Sequence, residues 1–258
     1  MIKKEIIEEV IDQIEKKKND KRVAKRLVEV RFDNGMTLSY LCETGEIEVG
    51  DLVTVEGKLE DAVGVVKTVK KSFKAPKFEM KWIESVLDRD VTGDYFKIGE
   101  DIVSTNCSLT AEKFITMCAG LKYKDNQAVG EDEIELDVAS FEEDEMFDNE
   151  LVKIRGKEIF KANGVMFISL QDEIGKAIVR GSEWYELDFR CKNGRITYLA
   201  CDCPYFGDCK HEVAFLYKLR DFWKNFTKKS NLNNFVMCRK ECFNAILSNG
   251  KGKVSVEL

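Results

Sequence analysis

The sequence predicts an α+β chain in two parts: an N-terminal helix with a small β-barrel over residues 1–90, then a mixed α+β domain over residues 91–258. Three observations carry this. Apolar residues recur at helical steps at the start of the chain, and from Val28 the period becomes two. The 258 residues, 44% of them hydrophobic, supply enough apolar material for two modest cores. Near residue 200, two strand-like segments, a cysteine-rich turn and a strong helix former follow one another.

Ile2, Ile6, Ile7, Val10, Ile11 and Ile14 form the stripe of an amphipathic helix ending near Lys18. The stretch from Lys16 to Arg26 that follows holds seven basic residues and one acidic residue, the composition of a solvated face or of an arm for phosphates. Val28, Val30 and Phe32 then alternate with polar residues, Asn34-Gly35 is a hairpin turn, and Leu38 and Tyr40 continue the alternation. Val49-Gly50-Asp51 turns the chain into Leu52–Val55, and a further strand runs from Gly64 to Val69. Four or five short strands in so few residues suggest a barrel of the SH3 or OB kind, and GDLVTV followed by GVVKTV resembles such barrels over residues 28–70. These barrels serve several unrelated roles, so the likeness selects no ligand.

After the barrel, Lys67, Lys70, Lys71, Lys74, Lys77 and Lys81 interleave with Phe73, Phe78 and Trp82. Single-stranded nucleic acid favours that composition, and so does a linker whose aromatics pack on its neighbours. The domain boundary is expected near Asp88 to Asp94. Between 95 and 175 the pattern is weak. Thr110 and Glu112 ahead of Phe114, Ile115, Met117, Cys118 and Leu121 predict a short capped helix. Ile134, Leu136 and Val138 alternate with acids and predict a strand, followed by an acidic loop over 142–150. A C-terminal strand is expected at Val254 to Val256.

The net charge of −6 conceals an asymmetry. Residues 131–150 hold eleven acidic side chains and no basic one, so the rest of the chain carries +5. The block has no ligand spacing of the EF-hand type and reads as a solvated face. Charges interrupt MIKKEIIEEV where a signal peptide is apolar, and no window approaches the roughly 18 apolar residues of a membrane span. With nine unevenly spaced cysteines, an odd count, thiols or metal ligands are expected in place of a disulfide framework, and the expected compartment is the cytoplasm.

Three of those cysteines and the only histidine, His211, fall in Cys201-Asp202-Cys203-Pro204-Tyr205-Phe206-Gly207-Asp208-Cys209-Lys210-His211. Trp184–Phe189 and Arg195–Ala200 flank an Asn193-Gly194 hairpin ahead of them, and a helix is expected from Glu212. Cys201 and Cys203 on a strand point to one side, Gly207-Asp208 reverses the chain, and Cys209 and His211 sit at the helix start. Three thiolates and one imidazole fill a tetrahedral Zn²⁺ shell and leave no position for water, so the predicted site is structural. Cys42, Cys107, Cys118 and Cys191 read as core residues. Cys238 and Cys242 read as part of a buried helical stripe with Phe235 and Phe243.

At these residues the chain resembles the SWIM zinc finger family, whose signature is CxC, a variable gap, then CxH. The likeness covers about residues 155–222. It includes Gly181-Ser182 ahead of the aromatic pair Trp184-Tyr185, then Cys203-Pro204-Tyr205 and Cys209-Lys210-His211. Glu212 and Phe215 depart from the small residues the family often carries in that helix. The resemblance implies a zinc-bound strand and helix module for contact with DNA or with proteins.

Enzyme templates fail on the same residues. His211-Glu212-x-x-Phe215 lacks the second histidine of a zinc protease, the deaminase arrangement is absent, and Gly250-Lys251-Gly252-Lys253 is not a phosphate loop. The expected function is a non-enzymatic zinc-binding interaction protein that contacts DNA or RNA, with a protein adaptor for a separate DNA-processing enzyme such as a helicase as the alternative. No membrane partner or small-molecule substrate is expected. Residues 176–229 hold eleven basic and seven acidic side chains, and the expected phosphate contacts are Arg190, Lys192, Arg195, Lys210, Lys218, Arg220 and Lys224.

Overall fold

The structure, a computed structural model, describes residues 22–74, 76–124, 134–142, 146–205, 207–226 and 234–257. The expected N-terminal helix and residues 16–21 of the basic stretch lie outside them. The chain divides into two compact units, Met1–Leu87 and Asp88–Leu258. Both sheet and helix are present, in an α+β arrangement.

The first unit is one antiparallel sheet of β1 (Arg26–Arg31), β2 (Thr37–Cys42), β3 (Leu52–Val55), β4 (Gly64–Lys70) and β5 (Ile83–Val86), in the order β2-β1-β4-β3-β5. Gly35, at φ 84°, makes the β1–β2 turn as its sequence demands. Val28, Val30, Phe32, Tyr40, Val53, Val55 and Val66 are buried together, with Cys42 among them. Gly64 starts β4 because a Cβ there would stand 2.2 Å from Val30 Cγ1. The expected barrel does not close. The edge strands meet at a single bridge between Leu41 and Trp82, where the Leu41 N–H donates to the Lys81 carbonyl at 2.9 Å. One bridge is not a ladder, so the five strands remain an open sheet.

The second unit is a nine-stranded sheet flanked by helices. Its strands are β6 (Gly93–Ile98), β7 (Asp101–Ser104), β8 (Leu136–Asp137), β9 (Val165–Gln171), β10 (Ile174–Arg180), β11 (Trp184–Lys192), β12 (Arg195–Cys201), β13 (Asn234–Arg239) and β14 (Val254–Glu257). They run in the order β14-β6-β7-β13-β9-β10-β11-β12-β8, antiparallel except for β14 on β6. Its described helices are α1 (Ala111–Phe114), which continues into a π-helical turn over Ile115–Ala119, then α2 (Glu150–Lys161), α3 (Lys210–Phe226) and α4 (Lys240–Asn249). None of the helices among the described residues is long and apolar enough to cross a membrane.

Successive side chains of β9 point to opposite faces of the sheet, and both faces are covered there. Phe167 lies 4.9 Å from Phe114, while Ile168 and Leu170 join the cluster that holds Phe189, Phe215 and Phe222. Amphipathic α3 fills that cluster with Val213, Phe215, Leu216, Leu219, Phe222 and Phe226. Thr110 caps α1 as expected, its hydroxyl accepting from the Lys113 N–H at 3.3 Å. The acidic block contributes β8, whose Leu136 and nearby Val138 are buried; residues 143–145 of the expected acidic loop lie outside the described residues, and Asn149 caps α2. Cys238 and Cys242 are buried but do not share a helix, because the segment divides into β13 and α4 at Arg239.

Candidate metal centre

Local sequence dictates how four ligands from eleven residues converge. Asn193 and Gly194 both take positive φ, 51° and 82°, so β11 and β12 form a tight hairpin that ends on Cys201. Cys203 follows with its side chain buried, and Gly207, at φ 89°, reverses the chain. The Asp208 carboxylate accepts from the Asn149 N–H at 2.8 Å, which ties the loop to the start of α2. Cys209 precedes α3 and His211 lies in its first turn, so the positive end of the helix faces the thiols.

The ligand atoms of Cys201, Cys203, Cys209 and His211 lie within 4.8 Å of one another, the one such cluster among the described residues. Cys203 and Cys209 Sγ are 3.4 Å apart, and His211 Nδ1 is 3.7 Å from Cys201 Sγ and 3.5 Å from Cys209 Sγ. A tetrahedral ion about 2.3 Å from sulfur and about 2.0–2.1 Å from nitrogen sets ligand separations of roughly 3.5–3.8 Å. The donor set therefore fits a metal ion.

The electrostatics agree with the geometry. The Cys209 thiol is held down to about 4, first by its hydrogen bond with Cys201 and, against burial, by His211 and the Glu212 amide. Cys201 is pushed up, first by sharing its proton with Cys209 and then by burial, and Cys203 is raised mainly by burial. Three adjacent thiols cannot all ionise without a neighbouring cation, and a dication in their midst provides one.

Outside the four ligands, the imidazole is clamped. Tyr185 stacks on His211 with ring centroids 4.1 Å apart, and a Cβ on Gly181 would stand 2.8 Å from His211 Nε2. Gly181 and Tyr185 thus both have a steric reason. Gly181→Ala should displace the ring and weaken metal binding by about 10- to 100-fold, as outer-shell changes do. Competition against a chromophoric chelator measures it, and unchanged affinity would show that the clamp has slack.

The seven expected phosphate contacts do not form one surface. Arg190 is exposed over the Tyr198 ring, and Lys224 is exposed. Lys192 pairs with Glu173 at 2.8 Å and Arg195 with Glu135 at 2.6 Å, both exposed pairs that a phosphate can replace at little cost. Arg220 donates to the Phe141 carbonyl and lies over Tyr217. Lys218, contrary to expectation, cannot reach a phosphate: it is buried and bonded to Asp101 at 2.5 Å, because its place on α3 faces the sheet. Lys210 alone of the seven borders the metal centre, in a loop region also lined by Arg155 and Tyr205.

Sequence reading missed Arg155 on α2 and Arg180 at the end of β10. With Lys210 they line a cleft of about 510 Å³ that also holds Glu158 and Glu241. No local spacing announces this grouping, since its members come from three distant elements. Comparison of the chain with protein-family models, curated proteins and solved structures finds no match.

Proposed function

We propose that the chain is a non-enzymatic interaction protein of the cytoplasm, organised around a SWIM-type finger that holds one Zn²⁺. The observation that carries this is the converging Cys₃His set, which satisfies four-coordinate zinc with soft ligands. With four protein ligands there is no open position to activate water, so the ion's part is to fasten the β11–β12 hairpin to α3.

Nucleic acid is the partner favoured for the finger. Arg155, Arg180 and Lys210 gather in one cleft from separate elements, Arg155 and Lys210 also border the candidate metal centre, and Tyr205 beside them is 70% exposed. Three phosphates neutralised on duplex DNA give a log-log salt slope of about −3, roughly a fortyfold loss between 50 and 200 mM salt. Lys210→Glu should weaken all duplex sequences alike and leave zinc content unchanged, which fluorescence anisotropy and elemental analysis measure together. A specific observation favours the second reading, a protein adaptor: Leu151 and Ile154 on α2 are 62% and 51% exposed near Arg155. Absence of duplex binding at 50 mM salt, with zinc at full occupancy, assigns the finger to a protein partner.

A further inference from the structure

The lysine-rich segment after β4 lies in the other unit and plays no part in the metal centre. Among its aromatics, Phe73 and Trp82 are half-buried, and Trp82 is covered by the Arg22 guanidinium 4.5 Å from its ring centre, which also bonds Glu56 at 2.7 Å. Phe78 differs. It is 71% exposed, more than any other large apolar side chain among the described residues. Burying a phenylalanine removes roughly 150–250 Å² of surface from water, so leaving one exposed in a loop forgoes that stabilisation.

The charges around it are equally uncompensated. Lys71, Lys74, Lys77 and Lys81 are exposed and have no ion-pair partner among the described residues, whereas Lys70 at the end of β4 pairs with Glu29. Glu79 is the one acid between Lys71 and Lys81, and it already has an interaction of its own. Four unpaired ammonium groups repel one another, and a polyanion relieves that repulsion. An acidic peptide would satisfy the charge but has no regular flat face for the ring. A nucleic acid strand supplies a phosphate per nucleotide and, where unpaired, an open base face. A duplex keeps its base faces stacked inside.

We propose that Lys71, Lys74, Phe78, Lys77 and Lys81 form a binding site for single-stranded nucleic acid, with the four lysines on phosphates and Phe78 stacked on a base. The contact is sequence-tolerant, because every base offers a π face. It is independent of the finger, so either site can fail alone.

The test uses the full chain loaded with zinc and fluorescein-labelled oligo-dT and oligo-U of about ten nucleotides, within the length one small β-domain covers. Both should bind at 50 mM salt, and more tightly than a duplex of equal length. With about −0.7 per phosphate on a single strand, four contacts set a salt slope near −3. Phe78→Ala should weaken binding by about 5- to 150-fold, and Lys74→Gln with Lys77→Gln should reduce the slope by about 1.4. Lys210→Glu should change neither value. Oligo-dU run beside oligo-U decides whether DNA or RNA is preferred, since those two differ only in the 2′-hydroxyl. The proposal is overturned if neither strand binds at 50 mM salt, or if Phe78→Ala binds like the parent. It is also overturned if the Lys210 variant alone loses single-strand binding, which would transfer the contact to the finger. Phe78 is exposed, so its replacement leaves the sheet folded, and hydrogen exchange of β1–β5 checks that.

Discussion

Removal of the metal should unfold much of the second unit and leave the first intact. Structural zinc in small fingers binds with an apparent free energy of about 10–16 kcal/mol, and that energy is folding energy where the site is not preformed. Whole domains are stable by only about 5–15 kcal/mol. Here the ligands flank the start of α3, and α3 carries Phe215, Leu219, Phe222 and Phe226 into the main cluster. Loss of the ion releases the first turn of α3 and leaves Cys201, Cys203 and Cys209 competing for protons in a buried pocket. The first unit has its own core and none of the ligands. Cys203→Ser, or chelation of the parent, should therefore strip the protein of one zinc per chain and collapse hydrogen-exchange protection in β11, β12 and α3. Protection in β1–β5 should persist. Full zinc occupancy in both Cys203→Ser and His211→Ala would discard the ligand assignment, and simultaneous loss of protection in both units would show that they fold as one.

What was legible in the sequence follows the range over which each interaction acts. The β1–β2 and β11–β12 hairpins and the Thr110 cap depend on neighbours a few residues away, and the four ligands lie within eleven residues, so pattern and spacing reveal them. β6, β7, α2 and β9 escaped. β9 is central and buried on both faces, so Val-Met-Phe-Ile-Ser-Leu has no alternation to read. α2 begins directly after an acidic run, and its Leu151 and Ile154 face outward, which blurs the amphipathic stripe. Barrel closure was likewise invisible, because it depends on whether two edge strands 40 residues apart pair along their length or, as here, at one bridge. Charge counting failed at Lys218 for the same reason. A lysine's fate on a helix depends on what the opposing sheet presents, and β7 presents Asp101.

Asp101→Ala should be among the most destabilising single changes outside the metal shell. Asp101 opens β7 with 7% exposure, and its two oxygens accept from Lys218 on α3 at 2.5 Å and from Arg239 at the end of β13 at 3.0 Å. Both cations are buried as well, at 8% and 5% exposure, and Arg239 Nε has no hydrogen-bond partner. Two positive charges already outnumber one negative charge in this pocket, so the carboxylate cannot be removed cheaply. Breaking a buried pair from one side costs about 3–5 kcal/mol, because the charge left behind has lost its water without gaining a partner. Lys218→Met should cost less, since Asp101 keeps Arg239 and the methionine fills the space of the lysine stem. The order of the two effects tests the account more sharply than either size. Urea unfolding that places Asp101→Ala within about 1 kcal/mol of the parent, or above Lys218→Met in stability, would show that water reaches the triad. The same pair bears on function: with its ammonium committed to Asp101, Lys218 has no charge to offer a phosphate, so Lys218→Met should leave duplex DNA affinity and its salt slope unchanged while Lys210→Glu lowers both.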